Sequence, residues 1–356
     1  VRVNNSDWID FGLNKTVNIT LTGEGYYTIE IKALDLANNV NLTRITILLD
    51  TTPPHISIDY PSNNTYFNKS YIEIRWNGSD NLSGIQYYEV RVDNNAWIRL
   101  GNLTSFRLTE LPDGAHIIWL RAVDRAGNIV VTRVIVHIDT KAPVIRIISP
   151  INGTITNSST IVLLFDYQEE NLVYFEVYLN NELVNVTKLS ILDLRFGVEG
   201  AYWIRVVGYD MANNSGEATV YVHYDSSPPV ITILTDVNGT SFTNGSFIVS
   251  WSGYDAVSGI ASYYISIDYG DYINLGLTSV YEVDLTELSL GEHTIIIMAY
   301  DKAGNAAKVT LIFYKIREEL PPPTVPITLI AGIIAILALI AIVDIYLFVI
   351  KKKRSQ

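Results

Sequence analysis

The side chains in this sequence that recur at positions where they could do chemistry are carboxylates. WNGSDNLSGI carries Asp80, WSGYDAVSGI carries Asp255, and the matching stretch FDYQEENLV carries Asp166, Glu169 and Glu170. A second set of aspartates opens proline-marked segments: Asp50 in DTTPP, Asp139 in DTKAP, and Asp225 before Ser226, Ser227, Pro228 and Pro229. Acidic loops close to such linkers offer the hard oxygen ligands that Ca²⁺ takes, and an ion shared there would stiffen the chain. Asp80, Asp255, Glu169, Asp139 and Asp225 are therefore the calcium candidates. None of these loops has the dense D-x-D-x-D spacing of a dedicated calcium loop, and Asp at a turn also serves simply as an acceptor for local backbone amides. No other cofactor is expected.

Asparagine supplies the other recurrent chemistry. Fifteen Asn-x-Ser/Thr acceptors occur, at Asn4, Asn14, Asn18, Asn41, Asn63, Asn68, Asn77, Asn81, Asn102, Asn152, Asn157, Asn185, Asn213, Asn238 and Asn244. With 28 Asn and 52 Ser plus Thr in 356 residues, chance would place only about four such motifs. Asn63, Asn152 and Asn238 repeat one turn, and Asn68, Asn157 and Asn244 another, where Asn also suits the backbone. The remaining nine lack that explanation, so the chain is expected to be an N-glycosylated surface protein. Heavy sequon use without cysteine favours an archaeal surface over a eukaryotic one.

Other chemistries find little support. The chain has no cysteine, which excludes disulfides, thiolate metal sites and a cysteine nucleophile. No Walker loop, GxGxxG, HExxH or GxSxG motif appears, and the five histidines (His55, His116, His137, His223, His293) are scattered. No enzyme is expected within this chain. Up to Pro326 there are 21 basic and 36 acidic residues, 4 of the 25 basic and 1 of the 37 acidic lying beyond it; nucleic acid is an improbable partner for such a surface.

The elements that must position these groups are set by a repeat. ALDLANN (Asp35), AVDRAGN (Asp124), GYDMANN (Asp210) and AYDKAGN (Asp301) align at intervals of 89, 86 and 91 residues, and the DTTPP-type markers recur at 89 and 86. Two agreeing periods are the mark of tandem modules. Within one period, YIEIRW, YYEVRV, HIIWLRAV and VVTRVIVHI read as short strands between turn-rich stretches, which fits a two-sheet sandwich. In each D-x-A-G-N unit the Asp and Asn flank a tight hairpin, making Asp35, Asp124, Asp210 and Asp301 hairpin residues. Eight residues before them stand Tyr27, His116, Tyr202 and His293, expected to be packing residues with a polar tip, similar to a tyrosine corner. Trp76, Trp251 and Phe165 are expected in the core. Trp8, Trp97 and Tyr272 form a second aromatic position on a strand edge, where a sugar ring could stack.

Residues 327–350 form an apolar run interrupted only by Asp344, about 36 Å as a helix and so long enough to span a bilayer. Lys351 to Arg354 follow directly, which favours a cytoplasmic C-terminus and repeats outside. VRVNNSDWIDFG at Val1 matches VRVDNNAWIRLG at Val90, so the first unit is expected to be a truncated half-repeat with at least three strands and an export signal upstream. The expected order is an Ig-like half-repeat at 1–52, complete Ig-like repeats at 53–141, 142–227 and 228–316, a proline-rich linker at 317–326, a transmembrane helix at 327–350 and a basic cytoplasmic tail at 351–356.

The proline-marked start, the aromatic before an Asp and SGI turn, and the closing D-x-A-G-N resemble bacterial and archaeal immunoglobulin-like (fibronectin-III-like) surface repeats. The resemblance covers nearly all of 1–314. It implies an all-β fold of tandem sandwiches before a single membrane helix, and is weak for function, since such repeats are similar to spacers, adhesins and accessory domains of secreted enzymes. The expected role is a membrane-anchored, glycosylated cell-surface stalk, structural or adhesive, with lipid as one partner and surface-layer proteins or glycans as others. Sandwiches of about 33 Å each would give a reach on the order of 100 Å. The alternative is the C-terminal stalk of a secreted protease or glycan-active enzyme.

Overall fold

Alternation of apolar and polar residues is realised directly in a computed structural model, which describes residues 1–318 and 327–353. In strand Ile72–Ser79, Ile72, Ile74 and Trp76 are buried while Glu73, Arg75 and Asn77 face water, the period of two that a half-buried strand demands. That strand lies between His55–Tyr60 and Ser105–Leu108 in a three-stranded antiparallel sheet. Opposite it is a five-stranded sheet in the order Thr65–Phe67, Ile129–Ile138, Gly114–Asp124, Ile85–Val92 and Ile98–Gly101. Its first pair is parallel and the rest antiparallel. The inner faces of both sheets supply one core, including Ile74, Trp76, Val90, Ile118, Leu120 and Val136. This is an immunoglobulin-like sandwich.

The pattern repeats. Val144–Ser149, Thr160–Gln168 and Ile191–Arg195 form a three-stranded sheet, and Gly200–Asp210 lies between Ser215–Tyr224 and Leu172–Leu179 with Glu182–Thr187 outermost. Further on, Val230–Ile233, Ser246–Tyr254 and Val280–Asp284 face a five-stranded sheet centred on Gly291–Asp301. The chain divides into two compact units. The first is Val1–Thr154 with Ser159–Gly197 and Ala201–His223; the second is Ile155–Ser158 with Val198–Gly200 and Tyr224–Gln356.

At the start, Arg2–Val3, Gly25–Leu34 and Val40–Leu49 make a single sheet. Ile45 and Ile47 are 50% and 36% exposed, whereas Val134 and Val136, one period later, are 4% and 0%. Among the described residues nothing forms a second sheet over this apolar face.

Trp76, Trp251 and Phe165 sit in equivalent core positions, as expected. Each indole meets a tyrosine edge-on, Trp76 with Tyr88 at 5.8 Å and Trp251 with Tyr263 at 5.7 Å between ring centroids. The tyrosine tips lie over Gly78 and Gly253, where a Cβ would come within 2.6 and 2.3 Å of the hydroxyl oxygens. In the Phe165 repeat the glycine position is Tyr167 and the tyrosine is Phe175, with the two rings 5.0 Å apart. The facing strand keeps a buried ring at Phe175, and without the hydroxyl of a tyrosine there the glycine position accepts Tyr167, which is 40% exposed.

The helix Ile327–Lys353 has a mean hydropathy of 3.0 in its membrane-length window and no burial against the rest of the protein. Its length exceeds the roughly 20 residues that a bilayer requires. The linker expected at 317–326 lies outside the described residues from 319 on, as does the basic tail from residue 354.

Candidate cation sites at the repeat joints

Three chain segments meet at the start of each complete repeat. The first is the D-x-A-G-N hairpin, closed by its own side chains. Asp124 accepts from the Asn128 amide and from Asn128 Nδ2, both at 2.8 Å; Asp210 and Asn214, and Asp301 and Asn305, repeat the pattern. Asp35 and Asn39 do the same in the first sheet. Gly127 and Gly304 have positive φ, as the tight connection requires.

The asparagine then reaches further. Asn128 Nδ2 donates to the Asp50 carbonyl at 3.1 Å, Asn214 Nδ2 to the Asp139 carbonyl at 2.7 Å, and Asn305 Nδ2 to the Asp225 carbonyl at 2.8 Å. The two periodic sequence markers are thus hydrogen-bonded partners. The third segment is the acidic loop. Asp80 Oδ1 accepts from the Gly84 amide at 2.6 Å, and Asp255 Oδ1 from Ser258 and Gly259 at 2.8 and 2.7 Å. Linker carboxylates join in, with Asp50 Oδ2 accepting from Ser83 and Asp225 Oδ2 from Ser258. Burial works against ionisation of Asp255, yet the amides of Gly259, Ser258 and Val257 hold its carboxyl below the usual range.

Together these segments gather three acidic groups per joint: Asp50, Asp80 and Asp124; Asp139, Glu169 and Asp210; Asp225, Asp255 and Asp301. Within each set one ligand oxygen from every residue lies within 4.8 Å of the others. Two full charges at that separation repel by about 3.5 kcal/mol at an effective dielectric constant of 20. Oxygen-only ligands of this kind match the donor set of a divalent hard cation. All five calcium candidates from the sequence fall in these sets. Asp166 does not: it pairs with Arg146. Sequence reading placed Asp124, Asp210 and Asp301 only in their hairpins and missed them as cluster members. No single spacing announced this, because each linker aspartate meets the hairpin aspartate of the repeat that follows it, 74, 71 or 76 residues further on.

A further acidic group caps each linker and was not foreseen. Glu24 accepts from the Thr51 amide and from the Thr51 and Thr52 hydroxyls; Glu199 does so from Ser226 and Ser227, and Asp113 from Thr140. Hydrogen bonds from Thr51, Ser226 and Thr140 respectively lower the carboxyls of Glu24, Glu199 and Asp113. Each residue stands directly before Gly25, Gly200 or Gly114, all at φ near +135°. In the last repeat the equivalent residues are Leu290 before Gly291 and Ile316 in place of the linker aspartate. The joint chemistry is thus confined to positions where another repeat follows.

All fifteen sequon asparagines are exposed. Asn63, Asn152 and Asn238 each use Oδ1 to accept a strand amide, from Ile135, Tyr221 and Ile312, which is the turn role the sequence suggested for them. Trp97 is half-buried with the guanidinium groups of Arg91 and Arg121 over its ring at 4.9 and 4.5 Å. Trp8 is similarly placed between Arg2 and Lys32. Cations thus compete with any sugar ring for these two indoles. Tyr272 remains exposed, in a shallow cleft with Tyr264, Met298 and Tyr300.

Residues 54–118 match the family model described as Bacterial Ig domain. No curated protein matches. Among solved structures, the chain is similar to the fibronectin(III)-like modules of Clostridium thermocellum CbhA, at 16% identity over 50% of this chain and 99% of that one, with a TM-score of 0.35. It is also similar to a tetra-tandem repeat in the extending region of a large adhesion protein, at 17% identity, 83% and 82% coverage and a TM-score of 0.35. A third similarity is to a structure titled for host cell surface retention of a 1.5-MDa bacterial ice-binding adhesin, at 13% identity, 76% and 100% coverage and a TM-score of 0.30. The sheets and the helix of the structure itself define the class: tandem immunoglobulin-like sandwiches followed by one apolar helix of membrane-spanning length. It is a non-catalytic domain class, and the chain has no cysteine nucleophile.

Proposed function

We propose that the chain is the membrane-anchored stalk of a cell-surface protein, with repeats at 53–141, 142–227 and 228–316 outside the cell and the C-terminus inside. The observation that carries this reading is the pairing of tandem immunoglobulin-like sandwiches with a fully exposed apolar helix of 27 residues. Such a helix has no place in water, and lipid is the solvent that accepts it. The basic residues after it favour a cytoplasmic C-terminus. The exposed sequons support a glycosylated surface, and the acidic joints support Ca²⁺ held by Asp50, Asp80 and Asp124 and their two counterpart sets, with surface-layer proteins or glycans as partners. The test is phase partition. The full chain is expected in the membrane and detergent phases, and a chain ended at Arg317 in the aqueous phase with its β-sheet circular dichroism unchanged. Equal partition of the two would overturn the proposal.

A further inference from the structure

Four equivalent turn residues, Asn4, Asp93, Asn180 and Asp268, all adopt positive φ between 47° and 53°. Each one's Oδ1 accepts the amide of the strand opposite: Thr28 at 2.7 Å, Ile117 at 2.8 Å, Trp203 at 2.8 Å and Thr294 at 2.8 Å. Backbone and Oδ1 therefore treat Asn and Asp alike, and both tolerate the left-handed conformation. Their identity instead follows the corner residue beside them. Where the corner is Tyr27 or Tyr202, the turn residue is Asn; where it is His116 or His293, the turn residue is Asp.

The geometry explains the pairing. Tyr27 Oη donates toward the carbonyls of Thr22 and Gly23 and needs no charge nearby. Tyr202 Oη accepts from the Gly197 amide at 3.1 Å. His116 Nε2 lies 2.8 Å from the Pro112 carbonyl and Nδ1 2.8 Å from Asp93 Oδ2. His293 repeats this, with Nε2 2.8 Å from the Ser289 carbonyl and Nδ1 2.7 Å from Asp268 Oδ2. A carbonyl and a carboxylate only accept, so both ring nitrogens must carry protons, and no neutral tautomer satisfies both contacts. Both rings are buried, at 6% and 4% exposure.

We infer that His116 and His293 are built into the fold as imidazolium ions, so that alkaline deprotonation loosens the repeats containing them and spares the repeat built on Tyr202. Alternate repeats thus carry a pH-sensitive corner. The charged groups facing His116 are Asp93, Arg107 and Glu110, which line the same cleft. Those near His293 are Asp268 and Lys315, the latter tied by Nζ to the Leu285 and Leu288 carbonyls, with the Phe313 ring stacked at 5.3 Å. Burial disfavours the charge on both histidines, but the aspartate and carbonyl bonds outweigh it and raise both above the ordinary value. A raised value means the stabilisation is complete below about pH 6.5 and is lost as pH climbs through the folded-state value.

The test uses the full chain in detergent, with carbon-labelled histidine followed by NMR against pH and amide exchange read repeat by repeat. His116 and His293 are expected to titrate above the ordinary histidine value of about 6.5, with protection in 53–141 and 228–316 falling at pH 9 relative to pH 6. Residues 142–227 are expected to show no such loss. The paired change D93N/H116Y, which installs the Asn and Tyr pair already used elsewhere in the chain, is expected to abolish the effect in 53–141 only. Titration at or below pH 6.5, equal loss in all repeats, or an unchanged profile in the paired variant would overturn the inference. Should that variant fail to fold, the titration of the unaltered chain decides.

Discussion

At the residue scale the core turns on the close approach of a tyrosine tip to a glycine on the facing sheet. Gly78 is glycine because the Tyr88 hydroxyl occupies the space of its Cβ, and a tyrosine ring pinned against Trp76 has little room to retreat. Gly78→Ala is expected to cost about 1–3 kcal/mol in the repeat that contains it, the usual range for overpacking, measured by denaturant unfolding. Wild-type stability in that variant would contradict the packing argument. The Trp and Phe core positions were legible from their place before the acidic loop. The glycine's reason was not, because Tyr88 is ten residues away in sequence and on the other sheet. The His and Asp corners were hidden for a similar cause: Asp93 lies 23 residues before His116, too far for either residue to suggest the other until the strands pair.

At the element scale the joint depends on a few hydrogen bonds between hairpin, loop and linker. Asn128→Ala removes bonds to the Asp124 carboxylate and the Asp50 carbonyl, whereas Asn39→Ala removes only the bond to Asp35. The first is expected to cost about 1–3 kcal/mol and to cost more than the second, a difference that thermal unfolding reports as the worth of the linker tie. The capping carboxylates add an acid dependence. Glu24, Asp113 and Glu199 are lowered by their hydroxyl and amide donors, so their contribution is present above their unfolded values and fades as pH falls through the lower folded ones. Linker protection in hydrogen exchange is expected to weaken below about pH 4, and Glu199→Gln to flatten that response at its own linker. A response unchanged by Glu199→Gln would remove the cap from the account. The hairpins and strands were readable because they are local. The caps were not, since a lone Glu or Asp before a glycine becomes meaningful only when the next linker folds back onto it.

At the scale of the whole molecule, three acidic sets and one apolar helix carry the proposed function. If the sets hold Ca²⁺, ion at a hundredfold excess over Kd stabilises each by about 2.7 kcal/mol. Addition of calcium is expected to raise the melting temperature and chelation to lower it, with Asp80→Asn, Asp210→Asn and Asp301→Asn each reducing the increment. A melting curve indifferent to chelator would dismiss the ion and leave the carboxylates as turn acceptors. The tandem order and the long apolar helix were legible because periodicity and hydropathy survive any detail of packing. The three-way meeting of hairpin, loop and linker was not, because it is a property of the folded joint.

Because the chain has no cysteine, a single introduced thiol reports the side of the membrane on which it lies. Asn157→Cys and Ser355→Cys, each expressed in intact cells and treated with a membrane-impermeant maleimide, test the anchored-stalk reading most directly. Residue 157 is expected to label without lysis and residue 355 only after it. Labelling of 355 in intact cells with 157 protected would reverse the topology, and labelling of neither until lysis would contradict a surface location altogether.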